Sequence, residues 1–389
     1  MAKKKAAPRR GISTVSLHGG GRELQAGDPV VPPIDQSATF RWAGPADGEL
    51  LYTRYGNNPI QKSVGAKVAE LEGMEAGVVL GSGMGATAMT MLALAQAGDH
   101  IVASEPLYGA TWKLLAEELP RRGIETTFVN PSNPRVWREA LTKSTRLLFL
   151  ETPTNPTLRI YDPRPAAALA QERGICLVMD TTFASPVNLR AKELGADVVI
   201  HSATKYLGGH SDLIAGVVVG SRSVTNEVTT MMRLYGPAVD PHCCWLLDRG
   251  LRTLDVRVRR QNESALALAR WLTEQRGVAS VSYPGLEDHP DHALAAEILD
   301  GFGGMVSFVL AGGGKAADAF MRGLELAIPA PSLGGVETLV SQPRHTSHAG
   351  MSGAARKRIG VPDGFVRVSV GLEEVDDLIA DFSAALANR

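Results

Sequence analysis

The chain has 389 residues, with 40 basic and 41 acidic side chains and a formal charge of −1. That length exceeds one ordinary core and suits two domains, or a large α/β domain with a smaller companion. The charge balance gives no global attraction to nucleic acid or to a membrane surface, and no run approaches the roughly 18 apolar residues of a membrane span, so a small-molecule ligand is expected.

The sequence opens on MAKKKAAPRR, which carries five basic residues before any apolar pattern appears. It reads as a solvated tail. The stretch that follows, GISTVSLHGG, lacks the roughly 7 to 15 apolar residues of a signal peptide, so a soluble protein is expected. From about residue 60 to 220, helical patterns alternate with short β-branched runs: GVVL (77–80), HIVAS (100–104), TRLLFL (145–150), ICLVMD (175–180), DVVI (197–200) and AGVVVG (215–220). Between them lie segments of helical period such as GATAMTMLALAQAG and YDPRPAAALAQERG. Such alternation predicts a mostly parallel sheet with helices on both faces, which binds ligands at the carboxyl ends of its strands. The stretch 251–277 reads as one long amphipathic helix without internal Pro or Gly. After it come the strand MVSFVL, a helix near KAADAFMRGL, the strand FVRVSV and a last helix EVDDLIADFSAALA, together a small α+β unit. Cys176, Cys243 and Cys244 match no zinc spacing and are expected to be reduced thiols of a cytoplasmic protein. His201, His210, His345 and His348 form no pair with ligand spacing and read as structural or rim residues, so no metal is expected.

The chemistry is expected at the strand ends. Lys205, in HSATKYLGGH, follows DVVI, where partial burial lowers an ammonium's pKa and favours the neutral nucleophilic amine that a Schiff-base lysine needs. Alone, a lysine after a strand is usually a surface residue. Asp180, however, ends another apolar strand 25 positions earlier, and a carboxylate there needs a cationic partner. The protonated ring nitrogen of pyridoxal phosphate is such a partner, and Asp180 then makes the ring an electron sink. Without it, Asp180 is an N-cap or turn residue. In GSGMGATAM the glycines fall between a strand and a helix, a cradle for phosphate, and Ser202 and Thr204 flank Lys205 with hydroxyls. A rival reading remains: Gly81, Gly83 and Ala86 fit G-x-G-x-x-A, and Glu105 lies about 20 residues on, the fingerprint of an NAD-dependent oxidoreductase.

YTRYGNNP, GSGMGA, LYGAT, ETPTNP, DTTFASP, HSATKYLGGHSD, YPGL, SLGGVETL and VRVSVGLE together resemble the pyridoxal-phosphate enzymes of cysteine and methionine metabolism, from VSLHGG to the last helix. This resemblance implies fold-type I of the pyridoxal-phosphate-dependent transferases, an α/β fold with a smaller α+β C-terminal domain. It also implies an arm at 1–60 that contacts the neighbouring subunit, a cofactor-binding large domain at 61–250 and a small domain at 251–389. By resemblance, Lys205 links to the cofactor and moves protons, Asp180 pairs with the pyridine nitrogen, and Tyr108 stacks on the ring and is a catalytic residue, as a base or as the group that activates the incoming substrate amine. Gly83, Met84, Ser202 and Thr204 hold the phosphate, joined by Tyr52 and Arg54 from a neighbouring subunit of a homotetramer. Arg367 clamps the substrate carboxylate with Asn155 and Ser332. Outside the family, Arg367 would be an inward or edge-pointing strand charge, Tyr108 a turn residue and Asn155 the residue before a proline.

The implied activity is γ-replacement or γ-elimination on homoserine-derived or cystathionine-type amino acids, as in cystathionine γ-synthase and cystathionine γ-lyase. Methionine γ-lyase, cystathionine β-lyase and O-acyl-homoserine sulfhydrylase are the alternatives. Methionine γ-lyases usually carry Cys where this chain has Ala110, and typical cystathionine γ-lyases carry Glu where it has Pro331, which resembles the plant γ-synthases. One side chain in a pocket shifts preference by only about 1–3 kcal/mol, so neither departure decides.

Overall fold

The computed structural model describes residues 10–21 and 24–387; the basic tail, apart from Arg10, lies outside them. Seven strands form the larger sheet: β1 (Ala76–Leu80), β2 (His100–Ser104), β3 (Glu125–Val129), β4 (Thr145–Glu151), β5 (Cys176–Asp180), β6 (Val198–Ser202) and β7 (Gly216–Gly220), in the order β1-β7-β6-β5-β4-β2-β3. Strands β2 to β6 run parallel to their strand neighbours within that group, while β7 is antiparallel to both β1 and β6.

Residues of one strand alternate between two apolar cores. Leu148, Leu150, Leu177 and Met179 enter one, and Leu147, Phe149, Val178 and Ile200 enter the other. A sheet apolar on both faces has to be covered by helices on both, which is why its central strands read as continuous hydrophobic runs. Strand β3 carries no such run. It is an edge strand, with Glu125 and Thr127 exposed, and its sequence ETTFV has only a partial pattern. Strand β6 extends two residues past the DVVI run, to Ser202.

A second sheet of five strands holds β8 (Val278–Ser282), β9 (Met305–Leu310), β10 (Ile328–Pro329), β11 (Leu339–Ser341) and β12 (Phe365–Ser369), in the order β10-β11-β12-β9-β8. The strands β9 and β12 and the helices Gly313–Gly323 and Val375–Ala387 occupy the stretches whose patterns predict them. The long helix runs over Leu254–Thr273. Its first half places Leu254 and Val258 in a core of the larger sheet, and its second half places Leu268 and Leu272 in the core of the smaller one. A rigid rod thus belongs to both. No helix of the described residues is long and apolar enough to cross a membrane.

Two local sequences prepare the site. The helix Pro59–Glu72 starts on a capping box of Asn58 and Gln61 with Pro at its first turn and stops at Gly73 in the left-handed region, so both ends are set locally. The helix Gly83–Leu94 starts directly after β1, capped by Ser82, whose hydroxyl accepts from the Gly85 amide.

Candidate active site

The carboxyl ends of β4, β5 and β6 open onto a cavity of about 620 Å³. Gly83, Met84, Tyr108, Asn155, Asp180, Ser202, Thr204, Lys205, Ser332 and Arg367 all line it. Residues from both sheets therefore meet at one place.

Lys205 sits three residues past β6, in a turn whose Gly209 amide donates to the Lys205 carbonyl at 2.8 Å. Its ammonium donates to Ser332 Oγ at 2.7 Å. Burial, aided by the nearby charge of Arg367, pushes the Lys205 pKa down to about 8, because the charged form loses hydration and faces a like charge. Ser332 adopts φ +88°, a left-handed conformation that costs a non-glycine residue about 1–3 kcal/mol and tends to persist at functional sites.

Arg367 lies on β12, an internal strand between β11 and β9. Its Nη1 donates to Asn155 Oδ1 at 3.0 Å and its Nη2 to the Ser332 carbonyl at 2.8 Å. Nε has no partner among the described residues although the side chain is 6% exposed, and burial pushes its pKa down to about 10. A guanidinium held by neutral acceptors with a spare donor is prepared for an anion.

Two acidic residues also line the cavity. Asp180 Oδ1 accepts from the Thr182 amide at 3.0 Å and the Thr182 hydroxyl at 2.6 Å. Glu151, its register partner across β4 and β5, accepts from the Tyr108 amide at 2.8 Å and the Asn155 amide at 3.1 Å. Burial and the neighbouring Asp180 push the Glu151 pKa up to about 8. Burial likewise raises that of Asp180, against the hydrogen bonds from Thr182 and the nearby His201. A buried Glu151 beside a part-buried Asp180, neither in an ion pair among the described residues, calls for a proton or a cation in the cavity. Glu151 ends the apolar run RLLFLE as Asp180 ends its own, so the same signal marks it in the sequence. Thr182, which also accepts from the Ser202 amide at 2.9 Å, carries no such signal.

At the start of the helix Gly83–Leu94 the first amides have no acceptor within the helix; the Ser82 hydroxyl takes that of Gly85 and its carbonyl that of Ala86, which leaves those of Gly83 and Met84 for a ligand. A Cβ on Gly83 would lie 2.7 Å from Ser202 Cβ, so only glycine lets the helix start approach β6. The Thr204 hydroxyl donates to the Ala215 carbonyl at 3.2 Å and accepts from its amide at 3.1 Å; Ser202 is the freer of the two. Tyr108, 41% exposed, forms a side of the cavity.

Some residues lie elsewhere. Tyr52 and Arg54 do not line this chain's cavity; Arg54 donates to the Arg233 carbonyl at 2.7 Å and stacks its guanidinium on Tyr52 and Tyr55. Pro331 and Thr111 line the cavity, whereas Ala110 does not. His201 is buried against Glu72 at 2.6 Å, and neither it nor His210, His345 or His348 lines the cavity. Glu105, the acid required by the dinucleotide reading, is exposed and faces a different cavity with Pro106 and Asn130, so the glycine loop has no ribose-binding partner there.

The chain matches the family described as Cys/Met metabolism PLP-dependent enzyme over residues 13–387. It is 39% identical over 378 residues to a cystathionine γ-lyase of Bacillus subtilis, with 96% of this chain and 99% of that one covered. It is 37% identical over 390 residues to an L-methionine γ-lyase of Fusobacterium nucleatum, with coverage of 97% and 98%. Among solved structures, a cystathionine γ-synthase of Xanthomonas oryzae pv. oryzae, in complex with aminoacrylate and cysteine, superposes with a TM-score of 0.92 at 38% identity, covering 97% of this chain and 98% of that one.

Proposed function

Because the chain belongs to the Cys/Met metabolism PLP-dependent enzymes, we propose that it catalyses γ-replacement or γ-elimination on homoserine-derived or cystathionine-type amino acids at the cavity that holds Lys205. The observation that carries this reading is one chain of contacts. Lys205 donates to the Ser332 hydroxyl and Arg367 to the Ser332 carbonyl, so a proton-transfer group and a carboxylate receptor share one residue.

The cavity fits pyridoxal 5′-phosphate: a phosphate suits the open amides of Gly83 and Met84 with Ser202 and Thr204, a protonated ring nitrogen suits Asp180, and an aldehyde suits Lys205. When bound, that cofactor supplies an electron sink that acidifies hydrogens next to the substrate's amino group. The chain's own residues supply the rest. Arg367, with Asn155 and Ser332, holds the α-carboxylate through its planar fork, and Tyr108 covers the ring. Lys205 Nζ, whose pKa lies near 8, takes the proton from the α carbon and delivers it elsewhere, as a base tuned near working pH does. Loss of a β proton then lets the γ substituent leave. Hydrolytic release ends in a 2-oxo acid and ammonia, and attack by a thiol ends in replacement.

Tyr52 and Arg54 of the partner subunit complete the phosphate site in this reading, which makes the active assembly a homotetramer built as a dimer of dimers. The arm 1–60, the large domain 61–250 and the small domain 251–389 form the corresponding division. Reduced Cys176, Cys243 and Cys244 agree with a cytoplasmic location.

The purified protein is expected to be yellow, absorbing at about 420 nm and bleached by borohydride. A panel of cystathionine, methionine, and O-succinyl-, O-acetyl- and O-phosphohomoserine, each with and without cysteine, should release 2-oxobutanoate or form cystathionine. Pyruvate as the main product would move the assignment to β-elimination. Methionine as the preferred substrate would move it to methionine γ-lyase, and a colourless protein that binds NAD would overturn the reading.

Gly83→Ala tests the phosphate cradle. The added methyl forces the helix start away from Ser202 and should weaken cofactor affinity at least about tenfold, a cost near 1.4 kcal/mol, as read by titrating cofactor into stripped protein. Wild-type affinity would place the phosphate elsewhere.

A further inference from the structure

Building on the function proposed above, we propose that Arg257 and Gln261, one turn apart on the helix Leu254–Thr273, are positioning residues that together set the contact between Lys205 and Ser332. Residues four apart share a helix face. Arg257 is 3% exposed and Gln261 fully buried, and neither lines the cavity.

Arg257 acts on the lysine side. Its Nη1 donates to the Tyr206 carbonyl at 2.9 Å, its Nη2 to the Gly250 carbonyl at 2.8 Å and its Nε to Thr253 Oγ1 at 3.1 Å. Among the described residues no carboxylate reaches it, and burial alone pushes its pKa down to about 10. A buried cation without an anion is costly, so its place is explained by the fork it offers. Two carbonyls accept from it, one directly after Lys205 and one in the last turn of the helix Pro241–Leu251, where carbonyls carry partial negative charge. The turn lies flat on the guanidinium: Gly209 has φ +71°, and a Cβ there would be 1.9 Å from Arg257 Nη1. A Cβ on Gly250 would be 2.2 Å from the Gly208 carbonyl.

Gln261 acts on the serine side. Its Nε2 donates to the Gly335 carbonyl at 2.7 Å, which fixes the loop that carries Ser332. That loop is pressed against the lysine's backbone, since a Cβ on Gly334 would be 2.6 Å from the Tyr206 amide nitrogen. The two segments are 127 residues apart in sequence and belong to different sheets, yet both hang on one face of one helix. Their 2.7 Å contact thus inherits the helix's rigidity.

The test uses the full-length holoenzyme of wild type, Arg257→Lys, Arg257→Met and Gln261→Met, with Phe382→Leu as a control that loosens only the core of the smaller sheet. Three quantities are read: kcat and KM, the pH midpoint of the 420 nm band, and amide exchange of residues 203–209. Arg257→Met should lower kcat about 10- to 100-fold with KM within about threefold, as expected when a reacting group is displaced by an ångström or less. It should also move the midpoint by more than about half a pH unit and speed exchange of 203–209. Arg257→Lys and Gln261→Met should do the same to a smaller degree, and they decide the matter if Arg257→Met does not fold. Phe382→Leu should lower the melting temperature and leave kcat and midpoint at wild-type values. The proposal is overturned if the Arg257 and Gln261 variants keep the wild-type midpoint and kcat, or if Phe382→Leu reproduces their changes. A wild-type protein without the band and without turnover would instead defeat the functional reading.

Discussion

Lys205→Ala should lower kcat by at least about 10³-fold, since it removes both the covalent tether and a general base that alone contributes about 10²- to 10⁴-fold. The loss is read as 2-oxo acid release at saturating substrate, and residual activity above about 1% of wild type would remove Lys205 from the reaction. The same residue predicts a gain in stability. Its pKa is near 8 in the fold and 10.5 ordinarily, so between those values the unfolded chain binds more protons than the folded one. Stability of the cofactor-free protein attributable to this group therefore rises with pH across that window, and the burial cost is fully present below pH 8. Lys205→Met, which keeps the bulk and drops the charge, should melt above the wild-type protein at pH 7 and close to it at pH 10.5.

Asp180→Asn should lower kcat about 10²- to 10³-fold, the usual cost of deleting one preorganised electrostatic partner. The amide oxygen still accepts from the Thr182 amide and hydroxyl, so the geometry persists while the charge that faces the cavity is gone. The pH dependence that Asp180 gives to stability has the opposite sign to that of Lys205. Asp180 and Glu151 both titrate above their ordinary range, Glu151 near 8, so the folded chain binds more protons than the unfolded one from about pH 4 to 8. The cofactor-free wild type should lose stability as pH rises through that range, and Asp180→Asn should flatten the decline, as melting temperatures across pH 4 to 8 would show. Unchanged kcat would mean that Asp180 does not face the reacting group. An unchanged pH slope would mean that Asp180 neither titrates above its ordinary range nor raises Glu151.

The strands most visible in the sequence are those buried on both faces. TRLLFL, ICLVMD and AGVVVG stand out because a strand covered on both sides admits few polar residues. ETTFV at the sheet edge does not, since its outer side meets water and keeps Glu125 exposed. A charge at or soon after the end of an apolar run is also a visible signal: Asp180 ends ICLVMD, and Lys205 follows DVVI by five residues. Glu151 bears the same mark in RLLFLE, but its meaning depends on lying beside Asp180 across β4 and β5. Arg367 shows the reverse. In VRVSV it reads as an inward or edge-pointing strand charge until β12 is seen between β11 and β9, with its nearly buried guanidinium at the cavity.

By itself the sequence determined the alternation of strand and helix, the glycine-rich turn before the helix at Gly83, and the family through motifs that run along nearly the whole chain. These are local matters, settled by side-chain period, by the conformations glycine permits and by which residues end a strand. Only the tertiary structure decided that Ser332 meets Lys205, that two carboxyls lie side by side across β4 and β5, and that the buried Arg257 guanidinium, with no carboxylate partner among the described residues, donates to the carbonyl directly after Lys205. Those facts depend on contacts between residues far apart in the chain, where burial removes the solvent that would otherwise satisfy each charge, and no pattern within a short window records which distant group takes water's place.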